Sequence, residues 1–418
     1  MNYKLLSLLW LCALALIGCG GGGGGSTSSS PSASQNVDSW PIYAALASAT
    51  SSYANKNDTR LLRSQIDDVK SLPGISSFDA NELATSPVSL TFGDFFQDGQ
   101  LSAFVVVKRS GGQAGKVYFL RWKDDSKWVD DTARILSNRA ACVNNQYAIT
   151  SDFNNDGKPD VFLSCGGTVE EEQLVFLSSS NGAYTRVGTG LILKGNRASA
   201  GKIDGDNYPD LVLSNKDGTT HLESLMVFRG TGGSVAPFED KTSAWLTNCL
   251  VNQGQYSPPT MPVRVEQVFL IPTLNNRLDL VVSGELSSGV KSQMWMKNQS
   301  TPPFFTNCTS GTSNLFPTVS FSGDTAIMMD LFYVSSTDSF YGYMQTAAGN
   351  AAGMKKFPVN SHTSLNLGNG TLATPGSNPA GGFPGMFRLN GSNQFIAYDA
   401  GCSGTASGTR CGLVFSAN

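Results

Sequence analysis

The nonapeptide DFNNDGKPD, residues 152–160, decides how the rest of the chain is interpreted. Oxygen-bearing side chains alternate along it, at Asp152, Asn154 and Asp156, before a glycine and a further acid, Asp160. Calcium takes about six to eight oxygen ligands, and alternating Asp or Asn residues followed by Gly can wrap such a shell around one ion. The spacing therefore predicts a calcium-binding loop.

The surroundings of this loop distinguish it from a helix–loop–helix calcium site. The twelfth position, where that motif needs a bidentate Glu, is Leu163. The flanking segments YAIT and VFLSC are rich in β-branched and aromatic residues, which favours strands on both sides. The sequence therefore predicts a hairpin in which the loop joins two neighbouring strands.

The strand–loop–strand unit recurs along the chain. Its fifth loop position falls at intervals of 50 to 69 residues, on Asp98, Asp156, Asp206, Asn275, Ala326 and Asn390. Each interval has room for about four short strands, and a period of this length is typical of propellers. One small sheet cannot bury both of its faces, whereas radial stacking of several sheets does.

This pattern resembles the FG-GAP/VCBS repeat family, and Phe92-Gly93 lies where the family's name-giving pair falls. The resemblance is strong in the second and third units and weak in the last two. It implies an all-β fold over residues 76–418, a β-propeller of six to seven four-stranded blades. Six units are visible, and whether a seventh blade exists remains open at this stage.

The resemblance also implies one mainly structural Ca²⁺ site in the second unit. Its ligands would be the side chains of Asp152, Asn154, Asp156 and Asp160 together with the carbonyl of Lys158. The first and fourth loops lack several of these oxygens and are expected to be free of metal.

The third loop is expected to be a weak or vestigial metal loop. Asp204, Asp206 and Asp210 keep positions three, five and nine, but Lys202 holds position one and Asn207 replaces the glycine. Either the Lys202 ammonium takes the place of the ion and pairs with the three carboxylates, or it points away and leaves a weak site. We favour the first alternative, because the loss of a carboxylate and the added positive charge both oppose Ca²⁺ binding.

The N-terminus predicts export and anchoring. Residues 1–18 have a positive start and an apolar core, as in a secretory signal peptide, and LIGC at 16–19 resembles a bacterial lipobox with Cys19 as the lipidated residue. An ordinary cleaved signal is the alternative. Residues 19–39 are expected to form a flexible Gly/Ser tether, and residues 40–75 a short helical segment. The predicted location is the bacterial cell envelope, at the outer membrane, on its periplasmic or its outer surface.

Six cysteines remain beyond the signal and the lipobox, which in an oxidising compartment favours disulfides. We predict pairs between sequential residues, because each closes a local loop: Cys142–Cys165, Cys249–Cys308 and Cys402–Cys411.

Composition and motifs favour binding over catalysis. The net charge is −3 and there is no basic cluster, so nucleic acid is not an expected partner. The chain has only 2 His residues and lacks the nucleophile-elbow, phosphate-loop and metalloprotease motifs. We therefore expect a non-catalytic, membrane-anchored propeller that binds a glycan or a protein. The alternative is a propeller-type polysaccharide lyase or hydrolase, with carboxylates at the central channel.

Overall fold

The computed structural model describes residues 89–98, 102–109, 111–123, 127–215, 225–246, 264–272, 277–285, 291–305, 320–321, 324–334, 339–346, 352–361, 366–367, 371–372, 385–389, 394–400 and 410–416. The predicted signal peptide, tether and helical segment lie outside these residues, as do Cys19 and the predicted pair Cys249–Cys308. No helix among the described residues has both the length and the apolar character needed to span a bilayer.

The described residues form strands and two single-turn helices. The strands of the first three sheets are β1 (Ser89–Gly93), β2 (Ser102–Val107), β3 (Lys116–Lys123), β4 (Lys127–Asp130), β5 (Asn145–Ser151), β6 (Asp160–Cys165), β7 (Glu171–Ser178), β8 (Tyr184–Leu193), β9 (Gly195–Gly201), β10 (Asp210–Asn215), β11 (Leu225–Gly230) and β12 (Phe238–Asp240). The later strands are β13 (Arg264–Pro272), β14 (Leu278–Glu285), β15 (Lys291–Met296), β16 (Ser320–Phe321), β17 (Asp324–Val334), β18 (Ser339–Thr346), β19 (Ala352–Ser361), β20 (Asn366–Leu367), β21 (Thr371–Leu372), β22 (Gly385–Leu389), β23 (Gln394–Ala400) and β24 (Arg410–Ser416). The helices are α1 (Thr132–Ile135) and α2 (Thr242–Trp245).

These strands form antiparallel sheets in which each strand pairs with the next one along the chain. Three sheets have four strands, β1 to β4, β5 to β8 and β9 to β12. In the described residues β13 to β15 and β22 to β24 form three-stranded sheets, and β16 to β20 form a larger one with β21 beside β19.

The first strands of successive sheets contact one another, β1 with β5, β5 with β9, β9 with β13 and β13 with β17. β17 then contacts β22. The hydrophobic core is correspondingly a series of clusters, each lying between two neighbouring sheets. Both faces of a sheet are thus covered, which is why the second strands β2 and β6 are buried along their whole length. This radial arrangement confirms the prediction of a β-propeller.

The fifth predicted loop is wrong. Ala326 was expected in a loop, but it lies within β17, which continues unbroken from Asp324 to Val334. The physical reason is the run TAIMMDLFYV, which has the β-branched, apolar and aromatic residues of a long buried strand.

Hydroxyl groups on the strands link neighbouring blades. The Ser89 Oγ accepts the Ala148 N–H at 2.8 Å, and the Ser199 Oγ accepts the Leu270 N–H at 3.0 Å. Near the entry to the second blade, Cys142 and Cys165 form a disulfide with their Cα atoms 5.9 Å apart, as in the first predicted pair.

Candidate metal centre

Each of the first four sheets has a loop between its first and second strands, and the predicted metal positions lie there. We number these loops from one to nine. The first loop is 94–102, the second 152–160, the third 202–210 and the fourth 271–279. Position nine is the residue with which the second strand begins, or the one after it.

In the second loop the residue at position nine, Asp160, holds the hairpin together through hydrogen bonds. Asp160 is fully buried, and its Oδ2 accepts the Phe153 N–H at 2.8 Å and the Asn154 N–H at 3.3 Å. Its Oδ1 accepts the N–H of Ser178, at the end of the third strand, at 2.6 Å. One carboxylate therefore ties the start of the loop to another strand of the same blade.

The same arrangement recurs in the third blade, and the fourth blade keeps the part that faces the third strand. Asp210 accepts the Ile203 N–H at 2.6 Å and the Gly230 N–H at 2.9 Å. Asp279 accepts the Asn298 N–H at 2.7 Å and the Trp295 Nε1–H at 2.8 Å. In the first blade Ser102 takes this position, and its Oγ accepts the Phe95 N–H at 2.8 Å. In each of the first four blades, the side chain at position nine thus accepts N–H groups and stabilises the blade.

Burial acts strongly on these carboxyl groups. It raises the pKa of Asp160, of Asp210 and of Asp279 from 3.8 to about 7 in each case, while the hydrogen bonds that they accept act in the opposite direction. For Asp279, the nearby Lys297 and Arg277 also favour the charged form.

These shifts predict that stability increases on acidification through neutral pH. Since the pKa of Asp279 is higher in the folded protein than in the unfolded chain, the folded protein binds a proton that the unfolded chain does not, between about pH 4 and 7. Each such group should add about 1.4 kcal/mol to the free energy of unfolding between pH 8 and pH 6. Urea unfolding at these two pH values measures the change, and Asp279→Asn should remove its own share. A free energy of unfolding that falls as the pH is lowered from 8 to 6 would contradict this assignment.

The side chains at positions one and three of the second loop accept backbone N–H groups of the same loop. The Asp156 N–H is shared between the Asp152 Oδ1, at 2.9 Å, and the Asn154 Oδ1, at 3.1 Å. The second carboxylate oxygen of Asp152 accepts the Gly157 N–H at 2.8 Å. The Lys158 ammonium donates to the Ser179 carbonyl at 2.8 Å, so the lysine's charge is held at the neighbouring strand end.

The backbone turns sharply at position four of the first three loops. Asn155 has φ 56° and Gln97, its equivalent in the first loop, has φ 55°, while the third loop has Gly205 there with φ 81°. This left-handed conformation reverses the chain inside the loop, and Asn and Gly adopt it most readily.

The donors of the second loop fit a hard cation in their chemistry. They are two carboxylates and one amide oxygen on alternating residues, the set that Ca²⁺ prefers. Burial raises the pKa of Asp152, a cost to its charged form that a bound cation would offset. Within the described residues, no group of three or more His, Cys, Asp or Glu side chains forms a metal site, so the amide and a backbone carbonyl would have to complete this one.

The third loop contains a cation of its own, and it is not the expected one. The Arg229 guanidinium, from β11, contacts Asp204 (Nε to Oδ2, 3.1 Å) and Asp206 (an Nη to Oδ2, 2.9 Å). The interpretation that Lys202 pairs with all three acids of this loop is therefore corrected. The guanidinium can reach two carboxylates at once because of its forked geometry, while Asp210 lies buried beneath on backbone N–H groups.

In the first loop, too, an arginine of the third strand pairs with an acidic side chain. The Arg121 Nε, from β3, donates to the Asp98 Oδ2 at 2.7 Å, and the Asp94 Oδ1 accepts the Asp98 N–H at 3.0 Å. Both arginines escaped the sequence analysis because they lie 23 to 25 residues beyond their partners. The signal was present in the similar third-strand segments FLRW and VFRG.

A second repeated motif was also missed. DDTARIL (130–136) and DKTSAWL (240–246) each form a single helical turn after the fourth strand. The Thr132 Oγ1 accepts the Phe119 N–H at 2.7 Å, and the Thr242 Oγ1 accepts the Val227 N–H at 3.0 Å. The threonine therefore fastens the end of the blade to its third strand.

Propeller blades closed by acidic loops define the class of this protein, and comparison with known families agrees. Residues 152–213 match the model of the FG-GAP-like repeat. Residues 152–213 therefore contain the FG-GAP-like repeat that the sequence pattern predicted. No curated protein sequence matches it.

Solved structures with a similar arrangement of strands are distant in sequence. A protein from Lactobacillus plantarum is 12% identical with a TM-score of 0.44, over 80% of this chain and 85% of that one. The periplasmic gluconolactonase of Pseudomonas aeruginosa is 14% identical with a TM-score of 0.41, over 81% and 93%. An α-L-arabinofuranosidase from Fusarium graminearum is 12% identical with a TM-score of 0.38, over 83% and 96%.

Proposed function

We propose that this protein is a propeller lipoprotein of the bacterial envelope that binds a glycan or a protein partner and holds one structural Ca²⁺ in its second loop. The use of its acidic side chains supports the binding role. Several described carboxylates close hairpins or pair with arginines of the same blade, as in Asp210 with backbone N–H groups and Asp98 with Arg121. Carboxylates used in this way build the scaffold.

The calcium proposal predicts a metal-dependent stability. Chelation with EDTA should lower the melting temperature and added Ca²⁺ should restore it, because an ion that binds only the folded state stabilises it by about 2.7 kcal/mol at 100 times its Kd. Asp156→Ala should have the same effect as EDTA, whereas Asp94→Ala in the first loop should change the melting temperature much less. Equal effects of the two substitutions would contradict the ranking of the loops.

The envelope location follows from the N-terminal sequence and has its own test. Cys19→Ser should yield unlipidated protein that is released from membranes, whereas the unmodified chain should fractionate with them. Continued acylation of the variant would refute the anchor.

A second candidate function is catalysis on a polysaccharide at the centre of the propeller. Tyr147, Arg197 and Gln267 lie on the innermost strands β5, β9 and β13, four or five residues before each loop. The Arg197 guanidinium lies over the Tyr147 ring at 4.6 Å. The pairing of β5, β9 and β13 with their neighbours shifts register directly beside these residues, and such bulges re-aim side chains and often lie next to active sites.

An arginine and a tyrosine at the inner strands would suit an acidic polysaccharide, since guanidinium groups bind carboxylates and a tyrosine can transfer protons. Several structures with a similar arrangement of strands are enzymes, among them a gluconolactonase and an arabinofuranosidase. Those activities belong to those proteins, and likeness in fold does not by itself assign an enzymatic activity to this chain.

One experiment separates the two candidates. The purified chain is incubated with a panel of neutral and acidic polysaccharides, and both retention on the glycan and release of smaller products are measured. Retention without products supports the binding protein. Products that disappear in Arg197→Ala support the enzyme, and the partly exposed control Lys241→Ala should leave either result unchanged.

A further inference from the structure

The third strand of each blade places one side chain directly opposite position nine. In the first blade the register pairs Ser102 with Arg121. Extending the printed registers of the other blades by one residue pairs Asp210 with Arg229, Asp279 with Lys297 and Asp160 with Leu177. The residue opposite position nine is therefore basic in three blades and apolar in the second, which alone of the four has the full metal-binding pattern.

In the first and third blades, the basic residue forms ion pairs with acidic residues of the loop in the same blade. Arg121 contacts Asp98, and Arg229 contacts Asp204 and Asp206. In the fourth blade Lys297 acts on Asp279 and favours its charged form. The same strand position thus supplies positive charge to the loop in blades of otherwise different sequence.

In the second blade the residue opposite position nine carries no charge. Leu177 is buried, with 6% of its surface exposed, and it cannot neutralise Asp152 and Asp156. The ammonium of Lys158, the one basic residue within this loop, donates to the Ser179 carbonyl. The loop therefore has two carboxylates at positions one and five without a third-strand cation, whereas the third loop has two carboxylates and Arg229.

We propose that the residue opposite position nine determines which cation a loop uses. An arginine there makes the loop independent of metal by placing its guanidinium on the acids of positions three and five. A leucine there leaves the loop to a divalent ion. For the second loop this rests on the proposed calcium site, whereas for the third loop it rests on the observed contacts of Arg229.

Exchanging the two residues tests the proposal. Leu177→Arg should weaken Ca²⁺ binding by roughly tenfold or more, since it adds a positive charge beside the ion site. Leu177→Met, which keeps the size and the neutral charge, should bind Ca²⁺ like the unmodified chain. Calorimetric titration with Ca²⁺ and the difference in melting temperature between Ca²⁺ and EDTA measure both variants, and circular dichroism checks that they fold.

The reverse exchange is made in the third loop. Arg229→Leu combined with Lys202→Asp removes the internal cation and restores an acid at position one. This variant should lose stability in EDTA and gain a Ca²⁺-dependent rise in melting temperature that the unmodified third loop lacks. Lys241→Leu, which removes a partly exposed lysine paired with Glu239 in the same blade, is the control and should gain none.

The two arms separate the failure of this proposal from failure of the calcium site. If the unmodified chain shows no response to Ca²⁺, the second-loop metal is refuted, but a response gained by the third-loop variant still supports the exchange rule. If the third-loop variant gains no response, or if Leu177→Arg binds Ca²⁺ as tightly as Leu177→Met, the rule is overturned.

Discussion

Replacing Asp210 with alanine is expected to lower the free energy of unfolding by about 3–5 kcal/mol. The carboxylate is fully buried and accepts the N–H groups of Ile203, Asp204 and Gly230. Alanine would leave these donors buried without an acceptor, and each unsatisfied group costs about 1–3 kcal/mol. Asp210 also joins the loop to the third strand, so its loss loosens two elements at once.

Urea unfolding at pH 8, in the presence of Ca²⁺, measures this effect separately from any metal. Asp210→Asn should lie between the alanine variant and the unmodified chain, because the amide oxygen can still accept the N–H groups at the start of the loop. Glu239→Ala removes an exposed acid of the same blade and should change the free energy by less than about 0.5 kcal/mol. If Asp210→Ala is no worse than Glu239→Ala, the loop is not closed by this carboxylate.

The second large effect is expected from the disulfide. The double variant Cys142→Ala, Cys165→Ala should lose about 3 kcal/mol, because the bond closes a loop of 23 residues and so limits the unfolded chain. Both residues are buried beside the second blade, whose own loop is the candidate metal centre. Loss of the disulfide should therefore also weaken the Ca²⁺ response.

Reduction provides the control for this prediction. A thiol reductant should destabilise the unmodified chain by about 3 kcal/mol more than the double variant, because only the unmodified chain has this bond to lose. Equal stability of the oxidised and the reduced unmodified chain would show that the bond contributes nothing. Any fall in the double variant on reduction measures the other predicted pairs, Cys249–Cys308 and Cys402–Cys411.

The structure changes the meaning of the acidic loops. Asp160 was predicted to be a metal ligand, and that role stays a prediction. In the structure Asp160 and Asp210 are buried acceptors that join the start of the loop to the third strand, and Asp279 accepts N–H groups from Trp295 and Asn298. This explains how a loop that has lost its metal pattern can keep its ninth residue, as the fourth loop does with Asp279.

The repeat was predictable from sequence because it is local. The alternating acids, the buried residue at position two (Phe153) and the following apolar strand that includes Val161 lie within about 15 consecutive residues. This short segment is therefore enough to predict the hairpin. The propeller followed from the spacing of these hairpins, because sheets of this size must cover each other's faces. Where the local pattern faded, as around Ala326, the prediction placed a loop inside a strand.

The repeated hairpin, the order of the blades and the candidate ligands of the second loop can be predicted from the sequence, because each is encoded within a short segment. The pairing of Arg121 and Arg229 with the acids of the first and third loops depends on tertiary contacts. Arg229 reaches Asp204 across a sheet from 25 residues away, and the segment between the second and third strands differs in length from blade to blade. Strand register aligns such residues in space, because hydrogen bonding between β-strands fixes which side chains stand opposite each other.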